Sequence, residues 1–436
     1  MRSLFLMDDQ AALLNRKEKI LYGLVVLFIV TFYMPHMPVV NNIAVALISL
    51  FWFFYNSFRD KLNLAKQRKE VILMVLFYLQ HIISTIFSHN RQEGISWTTI
   101  RLPLLVFPVT IGLMYIRGEV KERLLYAYAL ITSLTVAICI GWAITRSIRY
   151  DDNSLLYNDN LTDLIDKQSV YVALMVNLAI FCFGYLLSIR SKLVSTKWVT
   201  YSALLILLIG NFCMASRINI TILYSSIFCI AVWYAIKKKK FTPLIVVVVT
   251  IGIAWVLLIS FFPKTLNRFR ELNYTSYDYR HHGVESHFNM DVTSDQWNGA
   301  NIRLAVWSCG WELVKQHPLL GVQIGDKVDR MMEVYAEKKF DFAYSSHRNM
   351  HNNYLDILVA FGLVGFLLFL FGFLLLPLIK CIRTKDVFGV FVILAFMCTF
   401  LPETYFDRSM GNMIFAFFIG LIISYRKPVS LQPVQV

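Results

Sequence analysis

The stretch Ser345–Gly365, SSHRNMHNNYLDILVAFGLVG, changes character at a single point. A polar approach ends in His351, Asn352 and Asn353, and one of the longest apolar runs of the chain starts immediately after it. Roughly 20 apolar residues are enough to cross a bilayer as a helix. Inside the hydrocarbon, only helices and closed barrels satisfy every backbone polar group. The junction therefore sets an imidazole and two amides at the mouth of an expected transmembrane helix.

Working outward, similar runs recur along the chain, giving about twelve candidate spans. They lie near 20–35, 38–57, 71–88, 102–116, 124–145, 170–188, 198–215, 218–236, 242–262, 352–379, 387–402 and 410–425. The fourth, seventh and eleventh are short or edged with polar residues. The composition agrees: 57% of the residues are hydrophobic and 16% charged, where a soluble domain has about half and a quarter. An outer-membrane barrel would instead show short alternating strands. The expected fold class is all-α, a polytopic integral membrane protein.

A net charge of +14 is compatible with nucleic-acid binding. Here, however, the basic residues fall in short loops between apolar runs, which is how topology is set. Basic clusters lie at Arg16, Lys17 and Lys19, at Arg59 to Lys69, and at Arg117, Lys121 and Arg123. Others follow at Arg190, Lys192 and Lys197, at Lys237 to Lys240, at Lys380, Arg383 and Lys385, and at Arg426 and Lys427. They mark every second loop and both ends, so these face the cytoplasm. The partner implied is the lipid bilayer, with no nucleic acid. The first run follows Arg16 to Lys19, is longer than a signal core and has no small-residue cleavage site, so it reads as an uncleaved span. Seven cysteines without a CxxC pair suggest neither a disulfide framework nor a zinc site.

The remaining loops face outward. They are a turn at Met37 and Pro38, Ser88 to Trp97, the acidic Arg146 to Ser169, a tight turn at Ser216 and Arg217, Pro263 to Met350, and Leu401 to Met410. The long fifth loop divides the chain into a bundle over 1–262, the loop over 263–350, and a second set of spans over 351–436. Within the loop, Pro263 to Asp295 has no clear periodicity. Asn298 to Gln316 reads as a helix with Trp307, Trp311 and Val314 on one face and Arg303 one turn earlier. Asn298 or Asn301 can cap it, and His317-Pro318 ends it. A glycine-containing turn over Leu319 to Asp326 leads to a second, charged helix over Val328 to Lys339.

Each polar residue of the outer face carries two readings. His351 and Asn352 can cap a helix at the headgroup level. Alternatively, the positive end of the helix keeps the His351 ring neutral and able to take a proton from a hydroxyl. Arg217 either snorkels outward or holds an anion as a bidentate fork, phosphate being the obvious one. Arg303 either pairs on a helix face or joins a helix N-terminus in a phosphate site. Glu403 and Arg408 can pair with each other or with neighbours, and Arg101 is a cation at a helix start. His281, His282 and His287 have a spacing that suits no particular metal site. Gly321, Gly325, Gly362 and Gly365 serve turns and close helix packing. Gln80 and His81, inside the third run, are the polar residues that an active centre at one face does not account for.

Three stretches resemble the O-antigen ligase and polymerase superfamily of bacterial envelope glycosyltransferases. They are ASRINIT around Arg217, RLAVWSCGWELVKQHPLLGVQIG from Arg303 to Gly325, and HNNYLDILVAFGLVG from His351 to Gly365. The ending LPETYFDRSMGNMIFAFFIGLI looks like the family's closing segment. Two positions depart from the pattern: Ile218 follows Arg217 where glycine is frequent, and Gln323 stands where a second glycine is common. The resemblance implies a GT-C-like fold and an undecaprenyl-pyrophosphate-linked glycan as donor, used at the periplasmic face of the inner membrane. It implies that Arg217 and Arg303 hold the pyrophosphate and that His351 activates the acceptor hydroxyl. Asn352, Glu403, Arg408 and Arg101 are supporting candidates, and no metal or other cofactor is expected. Transfer to lipid A–core would make the protein a ligase, and transfer to another carrier-linked repeat a polymerase. A lipid-linked-sugar flippase or transporter is the reading from a different class. It fits less well because a duplicated transporter would place its long link after the sixth span and its ionisable residues near mid-membrane.

Overall fold

The computed structural model describes residues 14–261, 273–280, 285 and 296–424. His281, His282, His287, Arg426 and Lys427, and most of the stretch 263–295, lie outside them. The described residues are overwhelmingly helical, with one isolated bridge between Glu285 and Trp297. The helices are α1 (Arg16–Phe32), α2 (Pro38–Tyr55), α3 (Phe58–Gln67), α4 (Lys69–Phe87), α5 (Arg91–Ile100), α6 (Pro103–Val109), α7 (Gly118–Tyr150) and α8 (Ser169–Ser188). After them come α9 (Lys197–Cys213), α10 (Arg217–Lys238), α11 (Thr242–Phe261), α12 (Asn301–Gln316), α13 (Lys327–Glu337), α14 (Asn353–Phe369), α15 (Val387–Thr399) and α16 (Ser409–Ser424).

The protein is thus an all-α polytopic membrane protein. All twelve apolar runs fall on helical segments. Among the described residues, 7 helical stretches are long and apolar enough to cross a membrane, and α9, α15, α16 and the part of α11 over Leu244–Ile253 are shorter apolar helices. The structure differs from the sequence reading within two of these segments. Ser88 to Trp97 is not an open loop: Asn90 accepts from the Glu93 amide at 3.2 Å and starts α5. The run at 102–116 is not one helix, because α6 carries Pro108 inside it and yields to a 3-10 turn at Ile111–Leu113. A proline removes a hydrogen bond and crowds the preceding turn.

α8 and α16 form the buried centre, α8 against α7 and α16 against α6. Lipid is as apolar as a leucine side chain, so burial alone does not hold such a bundle together, and close packing and polar contacts must. Packing is supplied by the ring cluster Phe369, Phe373, Phe400, Phe406 and Phe415, with centroids 5.0–6.3 Å apart in the closer pairs. Polar locks sit at one end of the bundle. Arg117 Nε donates to Glu18 at 2.5 Å, Lys121 lies 3.6 Å from Asp386, and Lys380 pairs with Glu70. Arg68 donates to the carbonyls of Gly112, Met114 and Ser424 at 2.5–3.0 Å.

α14 is broken at Gly362, whose φ of 61° lies in the left-handed region that favours glycine. The turn after His317-Pro318 fills the break. The amides of Leu363 and Val364 donate to Pro318 and Leu319 at 2.8 and 3.2 Å, and the Val322 amide donates back to Val359 at 2.8 Å. Gly321, also at positive φ, lies against the backbone of Ala360, where no Cβ fits. The carbonyl of Phe361, freed by the break, accepts from Gln80 at 3.2 Å. His81 packs between Phe77, Tyr78 and Phe361. The two polar residues inside the third run therefore serve this break.

α12 and α13 share a second core built on Trp297, Cys309, Leu313, Tyr335 and Phe340, which packs onto α14 through Leu355 and Val359. The buried apolar face of α12 is Ile302, Ala305, Val306, Cys309, Leu313 and Val314. Of the expected Trp307–Trp311–Val314 line, Val314 is buried, Trp307 packs against this core, and Trp311 is half exposed. Trp307 is fixed by its indole N–H, which donates to the Met350 carbonyl at 2.8 Å.

Candidate active site

His351 immediately precedes α14 and has a φ of 43°. Non-glycine residues adopt this region uncommonly, histidine more readily than most. It sits outside the helix because Asn352 is the N-cap, its Oδ1 accepting from the amides of Tyr354 and Leu355 at 3.0 Å each. That satisfies two of the helix's otherwise orphaned amides. Asn353 ties the junction to the loop before α16. Its amide donates to Phe400 at 2.9 Å, and its side-chain oxygen accepts from the Phe406 amide at 3.1 Å.

That tie brings Glu403 to His351, with Nδ1 and Oε2 3.0 Å apart. An ionised carboxylate can only accept, so Nδ1 carries the proton, and in the neutral tautomer Nε2 is bare. The other carboxylate oxygen accepts from Arg303 Nη2 at 3.2 Å. Burial pushes the Glu403 carboxyl upward, but the hydrogen bond and charge of His351, together with the Arg303 charge, outweigh it and hold the group below its ordinary value. Arg303 also donates to Pro402 at 3.2 Å and to Gly299 at 2.5 Å. Three of its five N–H groups are thereby engaged, leaving two for another acceptor. A cavity of about 120 Å³ opens here, lined by Arg303, His351, Asn349, Arg348 and Glu285.

Arg348 is a residue that the sequence reading passed over. It pairs with Glu285 and stacks on Phe342, while its buried Nε has no hydrogen-bond partner among the described residues. Its position three residues before His351 was the available signal. Also missed was Asp356, an ionisable residue inside an apolar run, which calls for a partner. Asp356 accepts from Arg101 at 2.6 Å and from Lys327 at 2.7 Å, and both cations also reach Asp407 at 3.3 and 3.0 Å. Lys327 lies over the Trp97 ring at 4.1 Å. Asp356 follows His351 by little more than a helical turn, and Asp407 follows Glu403 in the same loop. The quartet therefore fixes the two halves of the His351–Glu403 pair relative to each other.

The other predicted residues divide. Arg101 is fully buried in the quartet and away from the cavity lining. Arg217 is the first residue of α10, half-buried behind the N-cap Ser216. Two residues on, Asn219 donates to the Val170 carbonyl at 3.0 Å, and the Tyr405 hydroxyl lies 3.4 Å from the same carbonyl. That shared carbonyl links the start of α10 to the loop carrying Glu403. Arg408 is exposed at the far end of that loop and lines a different cavity.

Residues 202–370 match the protein family described as O-antigen ligase. The match takes in Arg217, Arg303, Arg348, His351 and the Gly362 break, and leaves Glu403 outside. No curated protein matches the chain.

Proposed function

We propose that the chain is a member of the O-antigen ligase superfamily, which the match over residues 202–370 supports, and that it is a ligase-type glycosyltransferase of the bacterial inner membrane. It moves a glycan from an undecaprenyl-pyrophosphate carrier to a hydroxyl of lipid A–core at the periplasmic face. The observation that carries this reading is the His351–Glu403 hydrogen bond, with Arg303 on the second carboxylate oxygen. It leaves a bare imidazole nitrogen beside guanidinium groups in one cavity. The alternation of basic loops supports a periplasmic site, with both termini in the cytoplasm.

In this reaction His351 Nε2 takes the proton of the acceptor hydroxyl as its oxygen attacks the anomeric carbon. The bond from that carbon to the pyrophosphate oxygen breaks, and the polyprenyl pyrophosphate leaves with the electron pair. A single displacement inverts the anomeric centre. Glu403 holds the ring in the tautomer that can accept and stabilises the imidazolium that forms. The charge that grows on the leaving group is met by Arg303, with Arg217 and Arg348 as further guanidinium groups of this end. Fixed cations in a site that excludes water stabilise such charge without reorganising. Chemistry run by these side chains needs no metal.

The test is transfer by purified protein in liposomes containing EDTA, with lipid A–core and a second donor molecule as competing acceptors. Product on lipid A–core is expected. A ladder of carrier-linked glycan would make the protein a polymerase, and loss of transfer in EDTA that added metal restores would end the metal-free mechanism. Arg303→Lys should recover part of the activity that Arg303→Ala loses, because lysine keeps the charge but not the planar fork.

A further inference from the structure

α14 is longer than a membrane crossing needs. With the helical residues that follow, it makes one apolar stretch of 31 residues, Asn353–Arg383, where about 20 cover the hydrocarbon. Lys380, paired with Glu70, marks the end away from His351. Counting about 20 residues back from Lys380 reaches the break at Gly362. Side-chain exposure changes at the same point. From Asn353 to Phe361 every residue is buried or half-buried, whereas Leu363, Val364, Leu367 and Phe371 are exposed. The hydrocarbon boundary on the His351 side therefore falls at the break. At about 1.5 Å per residue, the part of α14 before the break lifts Asn353 about 13 Å clear of that boundary.

The turn that fills the break lies at this level. Pro318 and Leu319 take the amides of Leu363 and Val364, which starts the exposed side of the span. Leu319 and Leu320 are themselves 63% and 59% exposed, so two adjacent leucines of the large loop extend the lipid-facing surface of α14. Irregular backbone is tolerated at membrane depth only where protein satisfies its polar groups. This turn meets that condition. Pro318 has no N–H, the Gly321 amide donates to His317 at 3.2 Å, and the Val322 amide donates to Val359 at 2.8 Å. Further on, the amides of Ile324 and Gly325 donate to the hydroxyls of Ser84 and Ser88 at 2.8 and 3.0 Å. The polar residues beside the leucines precede them. Lys315, Gln316 and His317 are exposed at the end of α12, on the side away from the hydrocarbon, where a lysine head can stay in water above an apolar layer.

We infer that Leu319 and Leu320 form a membrane wedge: the turn of the large loop inserts among the acyl chains of the leaflet on the His351 side. The chain then climbs back out to Asp326, whose carboxylate accepts the amides of His89 and Asn90 at 3.0 and 2.8 Å beyond the end of α4. The partner is the lipid acyl chain, because the two leucines continue a surface that already faces lipid. The wedge grips the bilayer directly beneath the candidate active site, at the end of α12 opposite Arg303. It stands independently of the transfer reading.

The test uses the full chain in nanodiscs of phosphatidylethanolamine and phosphatidylglycerol. Nitroxide labels are placed singly at Leu319→Cys, Leu320→Cys and Lys315→Cys, after serine replaces Cys213, Cys229 and Cys398, the three cysteines that are not buried. Power-saturation EPR then compares collisions with oxygen, which concentrates in the hydrocarbon, and with a water-soluble nickel chelate. The oxygen-to-nickel ratio is expected to be severalfold higher at 319 and 320 than at 315. Nickel access at 319 and 320 equal to that at 315 would place the turn in water and overturn the wedge. Labels shielded from both reagents would mean that protein covers the leucines, and would overturn it too. A second measurement needs no substitution: wild type is irradiated with a phospholipid carrying a diazirine in its acyl chain, and the adducts are mapped by mass spectrometry. Adducts on Leu319 and Leu320 as well as on Leu363 and Val364 are expected. Adducts on Leu363 and Val364 alone would overturn the inference.

Discussion

Replacing Glu403 with glutamine changes almost nothing in shape and removes what the carboxylate does for two neighbours at once. Its oxygens accept from His351 at 3.0 Å and from Arg303 at 3.2 Å. An amide has a single oxygen. If that oxygen faces Arg303, the amide N–H₂ faces Nδ1, forces the proton onto Nε2, and removes the base. If it faces His351, the N–H₂ meets the guanidinium as donor against donor. Losing general-base catalysis costs about 10² to 10⁴ in rate, which is about 3–5 kcal/mol of barrier at 1.36 kcal/mol per decade.

The assay for Glu403→Gln is the initial rate of glycan transfer at saturating donor and acceptor, with donor binding and thermal unfolding measured on the same preparation. A loss of 10²-fold or more in kcat with folded protein is expected. Wild-type kcat would refute the reasoning. The carboxyl also predicts a pH dependence. Its value in the folded protein lies below the ordinary 4.5, so its stabilisation is fully present above that value and is lost as pH falls through the lower folded one. The difference in Tm between wild type and Glu403→Gln should therefore shrink on acidification below about pH 4.5.

Three further predictions concern the frame of the site. Gly362→Ala should destabilise the protein by several kcal/mol, read by thermal unfolding, because it adds a Cβ at positive φ against the Leu319 backbone, and misfit backbone can cost about 1–3 kcal/mol before any clash. Gln323→Gly should raise stability by up to about 1 kcal/mol, since Gln323 has a φ of 77°, a region where glycine carries no Cβ penalty. Asp356→Ala should cost about 3–5 kcal/mol by leaving two buried cations to share the single carboxylate of Asp407, and its melting curve should be affected far more than that of a surface change such as Glu333→Ala.

Much of this fold is legible without coordinates because the membrane imposes its own length and polarity on every span. The twelve apolar runs and the junction at His351 follow from that constraint alone. The departures are local. Pro108 interrupts the run at 102–116, and Trp311 is half exposed while Ala305 and Cys309 are buried on α12. The glycine pattern was readable as turn and packing residues, but its purpose was not, since the Gly321 turn enters the Gly362 break from a segment far away in sequence. The position of Gln323 is telling: where the resemblance implies a glycine, this chain holds a glutamine in the left-handed region. The electrostatics were least legible. Nothing in the spacing of Arg101, Lys327, Asp356 and Asp407 announces a buried quartet spanning more than three hundred residues, although Asp356 alone in an apolar run should have prompted a search for its partner. Glu403 was visible as a candidate, and the imidazole that it holds was not visible as its partner.

The central claim is that His351 is the base of a glycan transfer from a polyprenyl-pyrophosphate donor. The most direct test compares wild type with His351→Ala, reconstituted in liposomes, measuring donor binding and single-turnover transfer to lipid A–core in the same samples. The account predicts donor binding within about twofold of wild type and transfer lowered by at least 10²-fold. Transfer at the wild-type rate by His351→Ala would contradict it.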